Sequence, residues 1–288
     1  MDTYQETLDY LYNLEHFGIS LGLENIQALT AAFGNPQDQL AIVHVAGSNG
    51  KGSTISFLRD MLTAAGLKVA VYTSPHLRHF SERIVVDGEP ITEAEIVALT
   101  RELRPVAAKI PRVVTFFDFT TAMALIHFAR RRPDIVILET GLGGTLDATN
   151  VVKAPLLTMI TNIALEHEEY LGRTLLAVAG EKAGILKPRT PLVSGVRRRP
   201  IREFLAAKNR QLGGETWFSG RDFRCRRQGE DRFAYYGLDH RLRDLRLGMR
   251  GEFQRRNACL ALAAMELLVR QGKAVWDPAA IRQALANS

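Results

Sequence analysis

The sequence predicts an α/β fold, in which helices flank a mostly parallel β-sheet. Short, continuous apolar runs alternate along the chain with longer segments of helical character. Unbroken apolar runs are typical of strands that are buried on both faces, and a repeated strand–helix order is typical of parallel sheets. Glycine-rich or polar residues follow several of these runs directly, at the sheet edge where such folds bind ligands.

The N-terminal half contributes three predicted strands. Each apolar run is bounded by glycine or by a turn, and the helices end close to glycine or proline, which break helices. The strands are predicted at 40–45, 68–72 and 83–86, the last leading into a hairpin turn at Asp87-Gly88. Helices are predicted at about 3–15, from Gly50 to Gly66, and at about 93–107 and 117–131. A further helix lies between the first two and is predicted to end near Phe33.

The C-terminal half continues the same alternation. Strands are predicted at 135–138, 156–161 and near 191–195, with helices at about 174–186, 200–212, 253–271 and 278–286. The segment at about 215–247 differs, because it is arginine-rich and has no long helical pattern. We expect it to form a small antiparallel sheet appended to the main one.

Composition places the chain among soluble globular enzymes. Its 288 residues, 46% hydrophobic and 24% charged, suffice for one large domain, which we take as 1–288. The N-terminus has no signal-peptide pattern, and no apolar run is long enough to span a membrane. Cys225 and Cys259 lack metal-site spacing and are interpreted as reduced thiols, so we expect a cytoplasmic protein.

The chain carries a net charge of +6, which suits nucleotides, other small polyanions or nucleic acid. No recognised nucleic-acid-binding module is present, and the arginine clusters are interpreted mainly as solvated faces and helix ends. We therefore expect small-molecule ligands, and neither nucleic acid nor a membrane as partner. Nucleic-acid binding is kept as a remote alternative.

The segment that follows the first strand predicts a phosphate-binding loop. Glycines allow successive N–H groups to point into one concavity, the helix N-terminus favours anions, and the lysine reaches terminal phosphates. A hydroxyl group from the end of the segment can reach Mg²⁺. The loop differs from the generic G-x-x-x-x-G-K-[ST] pattern, and its residues are Gly47, Ser48, Asn49, Gly50, Lys51, Gly52, Ser53 and Thr54.

Six sequence blocks in order resemble the folylpolyglutamate synthase/dihydrofolate synthase family, a branch of the Mur ligase superfamily. The form G-[ST]-N-G-K-G-[ST] of the phosphate loop is similar to that of the family. The other blocks are 73–77 with 82–84, 115–120, 139–144 with 146–150, 161–163 with His167, and 181–185. The resemblance implies a P-loop NTPase-like fold and ATP-dependent addition of L-glutamate to dihydropteroate or a reduced folate through an acyl phosphate, with release of ADP and phosphate.

The resemblance also implies the metal site and an activated lysine. It assigns Mg²⁺ ligation, of one or two ions, to Ser74, Glu139 and His167. It implies catalytic roles for Lys51, His167 and Lys182, the last as a lysine carbamate formed with CO₂. Carbamate formation needs a neutral amine and hence a desolvated lysine. Glu166 stands before His167 where the family usually has aspartate.

Further family positions imply where the base and the acceptor bind. Asn257 matches an asparagine near the adenine. Aromatic residues suit a flat pterin ring, although phenylalanines at these positions also suit a helix core. The matching acceptor positions are Ser20, Phe116, Phe117, Asp118, Leu146 and Asp147.

Family members extend further, with a Rossmann-like C-terminal domain that contributes to the glutamate site. No segment of these 288 residues matches that domain, so we expect it to be absent and the chain, as a monomer, to ligate poorly on its own. Two alternatives stay open: a Mur-type ligase acting on another carboxylate, and a nucleotide-binding fragment without turnover. The residues do not distinguish dihydrofolate synthesis from polyglutamate extension.

Overall fold

An eight-stranded sheet organises the chain in the computed structural model, which describes residues 3–17 and 22–288. The strand order is β4-β3-β2-β5-β1-β6-β7-β8, and three further strands form a separate antiparallel sheet in the order β11-β10-β9. The strands are β1 (Ile42–Ala46), β2 (Val69–Tyr72), β3 (Ile84–Val86), β4 (Glu89–Pro90), β5 (Ile135–Glu139), β6 (Leu157–Ile160), β7 (Leu192–Ser194), β8 (Thr216–Phe218), β9 (Arg224–Arg227), β10 (Phe233–Tyr236) and β11 (Arg241–Leu245).

Helices connect most of the parallel strands. The α-helices are α1 (Tyr4–Asn13), α2 (Glu24–Ala31), α3 (Lys51–Ala64), α4 (Glu93–Ala107), α5 (Phe116–Arg131), α6 (Glu168–Leu171), α7 (Leu175–Lys182), α8 (Arg199–Gln211), α9 (Gln254–Arg270) and α10 (Pro278–Asn287). Short 3₁₀ helices lie at Leu14–Phe17, Pro36–Gln39, Phe80–Arg83, Ala148–Val151 and Ala183–Ile185.

The register of the sheet brings the ends of its central strands together. β1 pairs in parallel with β5 and with β6, so that Val45 lies opposite Glu139 and Ala46 opposite Ile160. β2 also runs parallel to β5, with Tyr72 opposite Leu138. The carboxyl ends of β1, β2, β5 and β6 therefore lie side by side, and the loops that follow them share one edge of the sheet.

Two hydrophobic layers enclose this sheet. One face is covered by α3, α9, α10 and the small antiparallel sheet. The other is covered by α1, α2, α4 and α5 and, towards β7 and β8, by α7 and α8. The strands β1, β2 and β5 are buried along their whole length, which explains their unbroken apolar sequence. The predicted α/β architecture and the appended antiparallel sheet are confirmed.

Some element boundaries differ from the sequence-based expectation. The helix expected at 174–186 is α-helical only to Lys182 and then tightens into the 3₁₀ turn Ala183–Ile185. The segment expected to be antiparallel from 215 begins with β8, which instead pairs in parallel with β7 and extends the main sheet. This pairing depends on a partner distant in sequence, so local pattern does not reveal it.

Within residues 3–17 and 22–288, no helix combines the length and apolarity needed to cross a bilayer.

Candidate active site

The loop between β1 and α3 has the backbone geometry of an anion-binding site. Gly47 and Gly50 adopt φ values of 149° and 78°, which side-chain-bearing residues rarely adopt. Gly50 is the N-cap of α3 and offers no side-chain cap, so no capping side chain satisfies the N–H groups of the first helical turn. These N–H groups and the positive end of the helix dipole suit phosphate.

A second loop, after β6, supports this phosphate loop from one side. The amide of Asn49 donates to Oδ1 of Asn162 over 2.7 Å, and the amide of Ser48 donates to the Asn162 carbonyl over 3.1 Å. The hydroxyl of Thr161 donates to the Asn49 carbonyl over 2.7 Å. The family resemblance includes Thr161 and Asn162 but implies no role for them, and the structure shows that they brace the loop.

The two hydroxyls at the start of α3 have different surroundings. Thr54 is fully buried, and its hydroxyl donates to the Gly50 carbonyl over 2.7 Å. Ser53 is half-buried and lines the cleft beside the loop. Of the two hydroxyls predicted to reach Mg²⁺, the Ser53 hydroxyl is therefore the one that faces the space available to a ligand.

Lys51 and Glu139 face each other across the sheet edge. The Lys51 ammonium donates to the Gly47 carbonyl over 3.0 Å and lies 3.8 Å from Oε1 of Glu139. Oε2 of Glu139 accepts from the Ser74 amide over 3.2 Å. Burial raises the pKa of Glu139 to about 7, against the opposing effect of the Lys51 charge. A dication bound here would instead favour the ionised carboxylate.

The oxygen atoms at this edge fit Mg²⁺ better than a soft metal. Glu139 contributes a buried carboxylate, and Ser74 is half-buried directly beside it. The described part of the chain has no group of three or more His, Cys, Asp or Glu side chains that could hold a metal. Mg²⁺ commonly uses one or two carboxylates together with substrate phosphates and water, so this sparse set of donors suits it.

His167 is more exposed than the other predicted ligands. It is exposed, is the N-cap residue of the short helix α6, and has φ 43°, a left-handed conformation. The preceding Glu166 forms an ion pair with Lys182, with Oε1 and Nζ 2.5 Å apart.

Lys182 is a buried cation on α7, only 2% exposed. Burial lowers its pKa, and the Glu166 carboxylate acts in the opposite direction. The lysine therefore has the desolvated environment that the carbamate hypothesis requires, together with an acidic partner that the hypothesis did not include.

A cleft of about 760 Å³ opens beside the phosphate loop. Asn257, on the first turn of α9, lines it and packs on the loop: a Cβ on Gly50 would lie 2.6 Å from Asn257 Oδ1. Among the residues that the structure describes, the cleft wall includes several arginines and no acidic side chain, which suits an anionic ligand such as a nucleotide. The structure thus has Asn257, the residue predicted to lie near the adenine, directly beside the phosphate loop.

The predicted aromatic segment divides between surface and core. Phe117 is half-buried and lies so close to Gly141 that a Cβ there would be 2.6 Å from Phe117 Cζ. Phe116 is buried, with its ring centroid 6.0 Å from that of Tyr12. Asp118 is 3% exposed, and its carboxylate accepts from the amide and the hydroxyl of Thr115 in a capping box.

The remaining acceptor positions also differ in exposure. Leu146 is 41% exposed, whereas Asp147 is buried. The Asp147 carboxylate accepts from the Leu142 amide over 2.8 Å and from the Thr149 amide over 3.0 Å, and it also accepts from the Thr149 hydroxyl. Asp147 therefore shapes its own loop. Ser20 lies outside the described residues.

Comparison with known proteins agrees with this geometry. Residues 45–265 match the Mur ligase middle domain family. The folylpolyglutamate synthase of Lacticaseibacillus casei is 35% identical over 294 residues, which cover 99% of this chain and 68% of that protein. The dihydrofolate synthase/folylpolyglutamate synthase of Bacillus subtilis (strain 168) is 35% identical over 296 residues, with the same coverage of 99% and 68%.

A solved FPGS–AMPPCP complex superimposes with a TM-score of 0.91 at 35% identity, covering 99% of this chain and 72% of that one. Sequence and structure thus match over nearly the whole chain. The chain belongs to the folylpolyglutamate synthase/dihydrofolate synthase family of the Mur ligases, a family of ATP-dependent acid–amino-acid ligases.

Proposed function

We propose that this chain binds Mg²⁺·ATP at the loop 47–54 and uses it to activate the carboxylate of a pterin-linked acceptor for amide formation with L-glutamate. The approach of Lys51 to Glu139 carries this proposal, because it sets a phosphate-binding cation beside a metal-binding acid. Phe117 and the exposed Leu146 belong to neighbouring segments of the same sheet edge and offer apolar surface to the acceptor.

A carboxylate at neutral pH is a poor electrophile, and phosphorylation corrects this. One carboxylate oxygen of the acceptor attacks the γ-phosphorus of ATP, the bond to ADP breaks, and an acyl phosphate forms. The amine of L-glutamate then attacks the acyl carbon and loses a proton, and phosphate leaves as the amide forms. Such chemistry depends on positioning and on charge neutralisation, so it needs no side-chain nucleophile.

Individual residues have distinct roles in this scheme. The first-turn N–H groups of α3 and the Lys51 ammonium bind the phosphates. Asn257 packs on the loop at Gly50, on the side where the adenine base binds. Glu139, Ser74 and the hydroxyl of Ser53 would hold Mg²⁺, with His167 as a further ligand. The ion supplies charge neutralisation at the transferred phosphoryl group.

Lys182 is proposed as the site of a lysine carbamate. Its burial and lowered pKa favour the neutral amine that reacts with CO₂. Carbamate formation replaces a cation by an anion, so Glu166 would lose its ionic partner and turn away from the amine. The new anion would then support the bound metal.

The acceptor is proposed to be dihydropteroate, a reduced folate, or both, in line with the double name of the Bacillus subtilis relative. We also propose that residues 1–288 form one Mur-ligase-type ATP-binding unit. Its small antiparallel sheet packs against α9, the helix that carries Asn257.

The test is transfer of radiolabelled L-glutamate to dihydropteroate and to tetrahydrofolate, assayed separately, with the Lys51→Ala variant as control. We expect product that requires ATP, Mg²⁺ and a pterin acceptor, and that is lost in the variant. ADP release with a cell-wall nucleotide precursor but with neither pterin would favour another Mur-type ligase. ATP binding without stimulation of hydrolysis by any acceptor would favour a nucleotide-binding module.

A further inference from the structure

Arg83 is a buried arginine to which neither the phosphate site nor the metal site assigns a role. It ends the 3₁₀ helix Phe80–Arg83, just before β3, and is only 6% exposed. Its carbonyl accepts from the Thr73 amide over 3.0 Å, which fixes its backbone beside the loop that carries Ser74. The side chain is thus anchored at the same sheet edge as Glu139.

The Arg83 guanidinium has no anionic partner among the described residues. Its Nε–H donates to Nδ1 of His76 over 2.7 Å, and its Cζ lies 4.9 Å above the ring of Phe116. No carboxylate in the described part of the chain lies within ion-pair distance of it. The adjacent Glu82 is committed elsewhere, because its carboxylate accepts from the amides of Leu77, Arg78 and His79.

This arrangement is unusual for a buried cation. Charged side chains that leave water are normally paired, because an isolated charge in a low-dielectric interior is costly. The other deeply buried cation near the site follows this rule, since Lys182 is paired with Glu166. An arginine held among His76, Phe116 and a sheet edge, with its Nη groups free of any carboxylate, is arranged to receive an anion from outside.

The surroundings indicate which anion this is. Phe116 and Phe117 belong to the proposed acceptor segment, and Arg83 stacks on the first of these rings. The charge of Arg83 also acts on the buried carboxyl of Glu139, in the same direction as that of Lys51. Arg83 therefore lies between the acceptor side and the metal side, where the reacting carboxylate of the acceptor has to be placed.

We propose that Arg83 binds the acceptor carboxylate through its Nη–H groups, orients it towards the γ-phosphate, and makes the site selective for an acid over its uncharged analogue. This inference rests on the proposed function. A planar guanidinium can hold both oxygens of a carboxylate at once, which a lysine ammonium cannot do with the same geometry. His76, as acceptor of the Nε–H, keeps the guanidinium in place.

The test compares two ligands on four proteins. Dihydropteroate has a single carboxylate, and its primary amide is the uncharged analogue. Binding of each is measured by calorimetry in the presence of Mg²⁺ and a non-hydrolysable ATP analogue, for the wild type, Arg83→Gln and Arg83→Lys. Arg78→Gln is the matched control, because Arg78 is an exposed arginine in the same loop.

We expect the wild type and Arg78→Gln to bind the acid roughly 10- to 100-fold more tightly than the amide, as for hydrogen bonds to a charged group. Arg83→Gln should bind both ligands equally, and Arg83→Lys should recover only part of the preference. Equal binding of acid and amide by the wild type would overturn the inference without any variant. The inference would also be overturned if Arg83→Gln kept the wild-type ratio of affinity for the acid to affinity for the amide. Binding of neither ligand by the wild type would count against the proposed function itself.

Discussion

The Lys51 ammonium lies 3.8 Å from the Glu139 carboxylate, although the two residues are contributed by different strand–helix units of the sheet. Lys51 opens α3 after β1, and Glu139 closes β5. The parallel pairing of β1 with β5, which puts Val45 opposite Glu139, produces this approach. The relationship joins the phosphate site to the metal site and leads to the first prediction.

Replacing Glu139 by glutamine should change how stability depends on pH. Burial raises the pKa of Glu139 from its ordinary 4.5 to about 7, so the folded state holds a proton that the unfolded state releases between these values. Wild-type stability therefore falls as pH rises through this window, by about 2–4 kcal/mol from this group. Glu139→Gln lacks this contribution.

Urea unfolding of both proteins between pH 4.5 and pH 8, without metal or nucleotide, measures the difference. The glutamine variant should gain stability relative to the wild type as pH rises. Two curves that stay parallel across this range would show that Glu139 does not titrate as its burial implies.

Breaking the Glu166–Lys182 pair should destabilise the fold more than removing the lysine. Glu166→Gln leaves a cation that is 2% exposed without its partner, whereas Lys182→Met replaces that cation by an apolar chain. Loss of one partner from a buried pair costs about 3–5 kcal/mol, and we expect about 2–4 here because the Glu166 side chain is 22% exposed.

Chemical denaturation of the two variants makes this comparison. The exposed pair Lys153–Asp38, with 4.0 Å between the charged atoms, is the control, and Asp38→Asn should cost no more than about 1 kcal/mol. Equal losses for Glu166→Gln and Lys182→Met would argue against the buried-charge explanation.

Gly141→Ala should disturb the acceptor side and leave the nucleotide side intact. The added methyl group would meet the ring of Phe117 at 2.6 Å, so the ring must move. We expect acceptor affinity to fall by about tenfold or more, with stability reduced by about 1–3 kcal/mol.

Gly180→Ala is the matched control, because a Cβ at this α7 position meets nothing within 4 Å. It should keep both affinities and gain up to about 1 kcal/mol from helix propensity. Affinities for a pterin acceptor and for an ATP analogue are measured on both variants. A nucleotide affinity that falls together with acceptor affinity in Gly141→Ala would contradict the separation of the two sides.

Glu266 should prove essential to the docking of the small sheet. It is 1% exposed on α9, and its carboxylate accepts from the Tyr235 hydroxyl over 2.8 Å and from the amides of Leu238 and His240 over 2.6 and 2.7 Å. Glu266→Ala leaves the buried Tyr235 hydroxyl and the two half-buried amides without this acceptor, at about 1–3 kcal/mol for a fully buried donor and less for each amide.

We expect Glu266→Ala to lose at least about 3 kcal/mol and to weaken nucleotide binding, because the same helix begins with the turn that carries Asn257. Thermal unfolding with and without an ATP analogue checks both effects. A variant with unchanged melting temperature would contradict this role.

Local sequence was sufficient for the parts of the site that are local in the chain. The order of apolar strand, glycine-rich loop, lysine and helix predicted the backbone between Gly47 and Thr54. The resemblance assigns Glu139 to Mg²⁺ at the end of an apolar run, and the structure has this residue at the end of β5, facing Lys51. The main parallel sheet followed from the same alternation.

Contacts between segments that are distant in the sequence could not be predicted from the local sequence pattern. The amide of Asn49 depends on Asn162, 113 positions away, and β8 joins the main sheet through β7. Asp118 and Asp147 show another limit, because a carboxylate that caps a helix and one that binds a ligand have the same sequence appearance. Only the hydrogen-bond partners distinguish the two uses.

The central claim is that the phosphates of ATP lie on the loop 47–54 with a divalent cation between them and Glu139. A crystal structure with a non-hydrolysable ATP analogue and Mn²⁺ in place of Mg²⁺ tests it most directly, since anomalous scattering locates the ion. We expect the ion at about 2.0–2.3 Å from a Glu139 oxygen and from a phosphate oxygen bound at the N-terminus of α3. Phosphates bound away from this loop, or an ion without contact to Glu139, would contradict the account.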